Sequence, residues 1–138
     1  MNRRTFVALT AAISLVPLTS RAGTPADYTP DLLAAELAAG KTVFIDFKAS
    51  WCPTCAAQGR AIDAIKAENP AYEKAISFIN ADWDQWGDGD LSKQLNIPRR
   101  STLVVLKGDK ELGRLVAVTA KEEIKGLMDL ALQAATAA

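Results

Sequence analysis

Residues 43–55 read VFIDFKASWCPTC, and the order of the fold turns on them. Val43, Ile45 and Phe47 alternate against Phe44 and Asp46. Apolar side chains on both faces predict a central strand covered on each side. At Pro53 the pattern changes, and residues 53–68, PTCAAQGRAIDAIKAE, read as a helix with Ile62 and Ile65 facing inward. Pro53 is tolerated because it falls in the first turn. Gly59 inside this helix is either a small cost or a point of close packing. Cys52 and Cys55, the only two cysteines of the 138-residue chain, stand where the strand hands over to the helix. Open α/β folds carry their chemistry at that end of their strands.

Working outward, residues 29–41, TPDLLAAELAAGK, predict a preceding helix. Thr29 suits its N-cap, Pro30 its first position and Gly40 its C-cap. Downstream, AISFINADW (75–83) predicts a second buried strand, followed by an acidic loop, DQWGDGD (84–90), and a short helix, LSKQLN (91–96). IPRR (97–100) leads to a third strand, STLVVLKG (101–108). A turn at Gly108–Lys110 starts a fourth, ELGRLVAV (111–118), paired with the third as a hairpin. Thr119 is expected to cap a final helix, AKEEIKGLMDLALQAA (120–135), with Ile124, Leu127, Met128 and Ala131 facing inward. The order α-β-α-β-α-β-β-α predicts an α/β domain with a central four-stranded mixed sheet flanked by helices.

Residues 1–22, MNRRTFVALTAAISLVPLTSRA, are expected to be a signal peptide, removed after Ala22 to leave a single domain over 23–138. Arg3 and Arg4 form a basic start, Thr5–Thr19 carry no charge, and Ser20 and Ala22 supply small residues before the cleavage point. The uncharged run is short for a membrane span, which takes roughly 20 residues. The RRTF stretch also fits a twin-arginine signal, so the Sec and twin-arginine routes both stay open. Removing Arg3, Arg4 and Arg21 from the 16 basic residues leaves 13 against 16 acidic ones, a net charge of −3. That balance is no footprint for nucleic acid or anionic lipid. An exported chain matures in an oxidising compartment, where two cysteines pair.

The Cys-x-x-Cys spacing has three readings. A structural zinc wants four ligands, and this chain has no further cysteine and no histidine. A metal would therefore have to be shared between two chains. A purely structural disulfide would close too small a loop to add much stability. A redox pair accounts for the position: a cysteine at a helix N-terminus has its thiolate stabilised by the dipole and the unpaired N–H groups. On this reading Cys52, with its sulfur exposed, attacks a disulfide, and Cys55, shielded one turn inside, resolves the mixed disulfide. Pro53 stiffens the turn and Thr54 offers a hydroxyl near the sulfurs.

With Trp51 preceding the pair and Asp46 in the strand, VFIDFKASWCPTC resembles the active-site stretch of the thioredoxin-fold oxidoreductases, and the resemblance runs over roughly residues 29–135. It implies a thioredoxin fold and a thiol–disulfide oxidoreductase whose working group is the Cys52–Cys55 disulfide, with no dissociable cofactor or resident metal. It further implies that Asp46 takes the proton of Cys55; the alternative is a carboxylate paired with Lys48 or Lys41. Trp51, Pro53, Thr54, Arg100, Ser101 and Thr102 correspond to the substrate-binding rim. One position departs from the family. Where thioredoxins place a cis-proline facing the cysteines, NIPRRSTLVVLKG places Ser101, which predicts a trans bond and a hydroxyl facing the sulfurs. Arg99 and Arg100 either favour an acidic partner or are merely solvated.

Asp82, Asp84 and Gly87 fall at calcium-loop positions, but Trp86 and Lys93 stand where two further ligands belong, so that motif fails. The Ala-Asp-Trp strand end is similar instead to the thioredoxin-like domains of bacterial transmembrane electron-transfer proteins. There Trp83 and Trp86 either shape a partner edge or pack the loop. The expected protein is a periplasmic monomer acting on protein thiols and disulfides, as a reductase or relay fed by a membrane electron transporter. The alternatives are a disulfide-forming oxidase and a metal-handling or non-catalytic binding module on the same fold.

Overall fold

A computed structural model of the protein describes residues 25–137; the expected signal peptide lies outside them. The domain runs β1 (Ala26–Asp27), α1 (Pro30–Ala38), β2 (Thr42–Lys48), α2 (Pro53–Glu68), α3 (Ala71–Ala75), β3 (Ile76–Asp82), α4 (Trp83–Trp86), α5 (Asp90–Gln94), β4 (Thr102–Lys107), β5 (Lys110–Val116) and α6 (Lys121–Thr136). The sheet has five strands in the order β1-β3-β2-β4-β5, one more than the four expected. The extra strand is two residues long, Ala26 and Asp27 pairing parallel with Ile79 and Asn80, too short to show any periodicity. β2 runs parallel to β3 and antiparallel to β4, and β4–β5 form the predicted hairpin.

β2 is central, and its residues Thr42 to Phe47 are all buried. Phe44 packs with Ile62 and Ile65 of α2 and Ile124 and Met128 of α6. On the other face Val43, Ile45 and Phe47 pack with Leu33 of α1 and with Tyr28 and Ile97. Burial on both faces is why an alternating polar pattern is missing from this strand.

The local signals explain most helix ends. Thr29 Oγ1 accepts the Leu32 N–H at 3.1 Å, Pro30 opens α1, and Gly40 follows it at φ 78°, a conformation that costs a glycine nothing. The start of α6 differs from expectation: its N-cap is Ala120, with no side-chain cap, and Thr119 lies one residue outside. The expected acidic loop begins with one helical turn, α4, because Asp82 Oδ1 accepts the Asp84 N–H at 3.0 Å. α3 is likewise a single short helix, too short to show a period in the sequence.

Gly59 is a cost rather than a close contact, since a Cβ there would meet nothing within 4 Å. Gly59→Ala is therefore expected to stabilise the domain by about 0.5–1 kcal/mol in urea unfolding, through helix propensity alone. Destabilisation would mean that this turn of α2 has no room for a methyl group.

Candidate active site

Cys52 is the N-cap of α2, with φ −90° and ψ 112°, and Pro53 takes the first helical position. The N-cap role leaves its side chain pointing back over the open N–H groups of the first turn. Its Sγ accepts the Cys55 N–H at 3.1 Å. Cys55 lies in that first turn, and the two are joined as a disulfide, their Cα atoms 5.2 Å apart. Both are buried, with Cys52 at 2% and Cys55 at 1% exposure. The expected exposure of the Cys52 sulfur is not found. Two tertiary contacts cover it: Trp83 packs against the cysteines, and the Ser101 side chain comes down on them from the start of β4.

Ser101 faces the pair across the site. Its Oγ lies 3.2 Å from Cys52 Sγ and 3.1 Å from Cys55 Sγ, and the side chain is fully buried. The peptide before it is trans, as are all those among the described residues. Its backbone sits at φ 64°, the left-handed region that costs an L-residue of order 1–3 kcal/mol. Three hydrogen bonds hold it there. Ser101 N–H donates to Phe47 O at 2.7 Å, while Ser101 O accepts the Ala117 N–H at 2.8 Å and Gln58 Nε2 at 2.9 Å. Gln58 Nε2 also donates to Val118 O at 3.0 Å. Gln58, fully buried on α2 one turn beyond the cysteines, thus ties the Ser101 and Val118 backbones to the redox helix. The sequence reading missed it, because a lone glutamine in a helix carries no mark of burial.

Asp46 lies on β2, on the same face as Phe44 and Lys48, and opens on a cleft of about 240 Å³ shared with Gly59, Ile62, Asp63 and Lys66 of α2. It is 5% exposed, and its Oδ1 has no hydrogen-bond partner among the described residues. Burial raises its pKa to about 6, against smaller opposing effects of Lys48 and Lys66. The alternative pairing with Lys48 or Lys41 does not form: Lys41 Nζ binds Glu36 at 2.9 Å, and among the described residues no cation makes an ion pair with the Asp46 carboxyl. Lys66, also missed from sequence, is buried in the same cleft, its ammonium 3.9 Å above the Phe78 ring and 4.0 Å from Glu73. Burial lowers its pKa, opposed by Glu73, Asp63 and Asp46.

The rim is built around Trp51, 55% exposed. Its Nε1–H donates to both carboxylate oxygens of Asp84 at 3.0 Å, and the Arg100 guanidinium stacks 4.5 Å from the ring centroid. Arg100 is therefore not simply solvated, and Asp84 is a rim residue that only the fold reveals. Arg99 turns away, its Nε donating to Arg100 O at 3.1 Å. Pro53 is exposed beside the pair; Thr54 is half-buried, and the hydroxyl at the sulfurs belongs to Ser101 rather than to it. Thr102 is buried, with Oγ1 donating to Arg99 O at 2.7 Å, so it shapes the approach to Ser101 from within. Trp86 packs edge-on against Tyr28 at 4.9 Å, and Trp83 packs against the cysteines. Trp86 thus packs the loop, whereas Trp83 packs against the redox pair itself.

A cysteine pair across the first turn of a helix, reached from the central strand of a mixed sheet, defines a thiol–disulfide oxidoreductase. The Thioredoxin family model matches residues 25–130, and the chain belongs to that family. A thioredoxin H-type from Brassica campestris is 32% identical over 99 residues, covering 72% of this chain and 74% of its own. A thioredoxin from Echinococcus granulosus is 33% identical over 86 residues, covering 62% and 75%. Among solved structures, Trxlp from Edwardsiella tarda EIB202 superposes with a TM-score of 0.67 at 22% identity, over 76% of this chain and 98% of that one. The oxidised thioredoxin of Plasmodium falciparum superposes at 0.61 and 20% identity, over 77% and 96%.

Proposed function

We propose that this thiol–disulfide oxidoreductase works as an exported protein-disulfide reductase or electron relay, with Cys52 as the attacking sulfur. One observation carries the assignment: Cys52 caps α2 and its sulfur accepts the Cys55 N–H, so a thiolate there meets both a donor and the positive end of the helix. Cys52 thiolate attacks one sulfur of a substrate disulfide, forming a mixed disulfide and releasing the other sulfur as a thiolate. Cys55 gives up its proton and attacks Cys52 Sγ. The Cys52–Cys55 bond forms, the second substrate sulfur leaves, and two electrons have passed to the substrate.

Asp46, with its pKa of about 6 and its Oδ1 without a hydrogen-bond partner among the described residues, is suited to receive the Cys55 proton near neutral pH. Trp51, flanked by Arg100 and Asp84, offers an exposed aromatic ledge with charges of both signs for a substrate backbone and its side chains. The membrane electron transporter is the proposed donor, and the working unit is a monomer.

The reading is tested by supplying dithiothreitol and insulin to the purified domain. Catalysed precipitation of reduced insulin is expected. Accelerated oxidation of a reduced protein substrate, without insulin reduction, would make the protein an oxidase instead. In a secreting host the released chain is expected to begin at Gly23 by mass; full-length protein retained in the cytoplasm would contradict export.

A further inference from the structure

Among the described residues the Ser101 hydroxyl is the side-chain polar group within hydrogen-bond distance of both sulfurs, and disulfide reduction by this pair puts a negative charge first on one of them and then on the other. We propose that Ser101 is a catalytic residue of this pair: its hydroxyl donates a hydrogen bond to the Cys52 thiolate in the reduced protein and then to the Cys55 thiolate in the mixed disulfide. The inference rests on the assignment of Cys52 as the attacking sulfur.

The geometry permits both bonds without moving the backbone. Oγ is 3.2 Å from Cys52 Sγ and 3.1 Å from Cys55 Sγ, so rotation about one side-chain torsion exchanges them. A hydroxyl donates one proton and accepts others. In the reduced protein the Cys55 S–H donates to Oγ while Oγ–H donates to the Cys52 thiolate, which also keeps the Cys55 N–H. Once Cys52 is bound to the substrate, its sulfur is neutral and a poor acceptor. The hydroxyl then turns to Cys55 as that thiol ionises, lowering the cost of the second attack. No proton is consumed at Ser101 in either step.

The backbone is held for this purpose. A left-handed serine is disfavoured, yet Phe47 O, the Ala117 N–H and Gln58 Nε2 fix it, and its side chain is fully buried. A serine chosen only for tolerance of that φ would be better served by glycine. The hydroxyl gives the residue a reason to be there.

A hydrogen bond to a charged acceptor is worth about tenfold or more in an equilibrium constant. Ser101→Ala and Ser101→Gly both remove it, and the glycine variant does so without strain at this φ. Both are expected to raise the pH midpoint for iodoacetamide alkylation of the reduced protein by about one unit. Both should also shift the equilibrium with glutathione about tenfold toward the disulfide, about 30 mV lower in potential. An unchanged midpoint and potential in either variant would overturn the proposal, since a purely structural serine would alter stability alone. Mapping the alkylated sulfur separates the two claims. Label on Cys55 instead of Cys52 overturns the attacking-sulfur assignment, while a common shift in both variants still upholds the hydroxyl as the donor to the thiolate.

Discussion

Cys55→Ala is expected to stop turnover after one event, leaving a mixed disulfide on Cys52, whereas Cys52→Ser should give neither turnover nor adduct. The difference follows from electron counting. Reduction of a disulfide needs two electrons, and a single thiol can only exchange partners. With Cys52 present, its sulfur still lies over the first turn of α2 beside the residue-55 N–H and the Ser101 hydroxyl, so the first attack proceeds. With Cys52 gone, the remaining sulfur lies inside the first turn of α2 and lacks the N-cap position and the residue-55 N–H that favour a thiolate at residue 52. Catalysed insulin reduction should fall by about a thousandfold or more in each variant, because the two sulfurs act as a unit. Mass spectrometry after exposure to a peptide disulfide separates the variants. An adduct in Cys52→Ser protein would reverse the two roles.

Asp46→Asn is expected to raise stability and slow resolution together. The carboxyl's pKa is 3.8 unperturbed and about 6 in the folded protein, and burial is the main cause. A shift of about two units at 1.36 kcal/mol each amounts to about 3 kcal/mol. The sign follows from proton binding. Between these two values the folded state holds more protons than the unfolded one, so this group's contribution is fully present below pH 3.8 and is lost as pH rises through about 6. At pH 7 the wild-type protein carries the full cost of a buried carboxylate, and an amide does not.

Urea unfolding at pH 7 should therefore show Asp46→Asn more stable by up to about 3 kcal/mol, with the advantage gone by pH 4. Asp129 titrates the other way: its hydrogen bond from Tyr72 holds its pKa down, so its contribution is lost on acidification in both proteins and cancels in the comparison. The same substitution removes the proton acceptor, and the resolution rate near neutral pH should drop by about a hundredfold. A stability difference that does not change with pH would mean Asp46 is not ionising in this range.

The sequence made the central strand and the redox helix legible because each is a local pattern: apolar on both faces over residues 43–47, then a proline-started helix behind Cys52. The departure at Ser101 was legible too, because the resemblance to thioredoxins sets a proline at the step into the third strand and this chain has serine there. What tertiary contacts decide stayed hidden. Cys52 is buried because Ser101 and Trp83, both more than 30 residues away in the chain, close over it. Gln58 is polar and reads as surface, yet it is buried because two carbonyls, at residues 101 and 118, converge on its amide. Asp84 joins the rim only because a single helical turn after β3 swings it toward Trp51. β1 and α4 escaped because two and four residues hold no readable period.

Reduction of a substrate disulfide requires Cys52 and Cys55 to form a reversible two-electron couple that delivers electrons. Equilibrating the purified domain across a range of glutathione ratios, with acid quenching and thiol alkylation, measures this directly. A single two-electron transition between about −270 and −200 mV is predicted. A potential near −120 mV, about that of strong disulfide-forming oxidases, would contradict the reductase assignment, and a disulfide that no glutathione ratio reduces would contradict the redox reading itself.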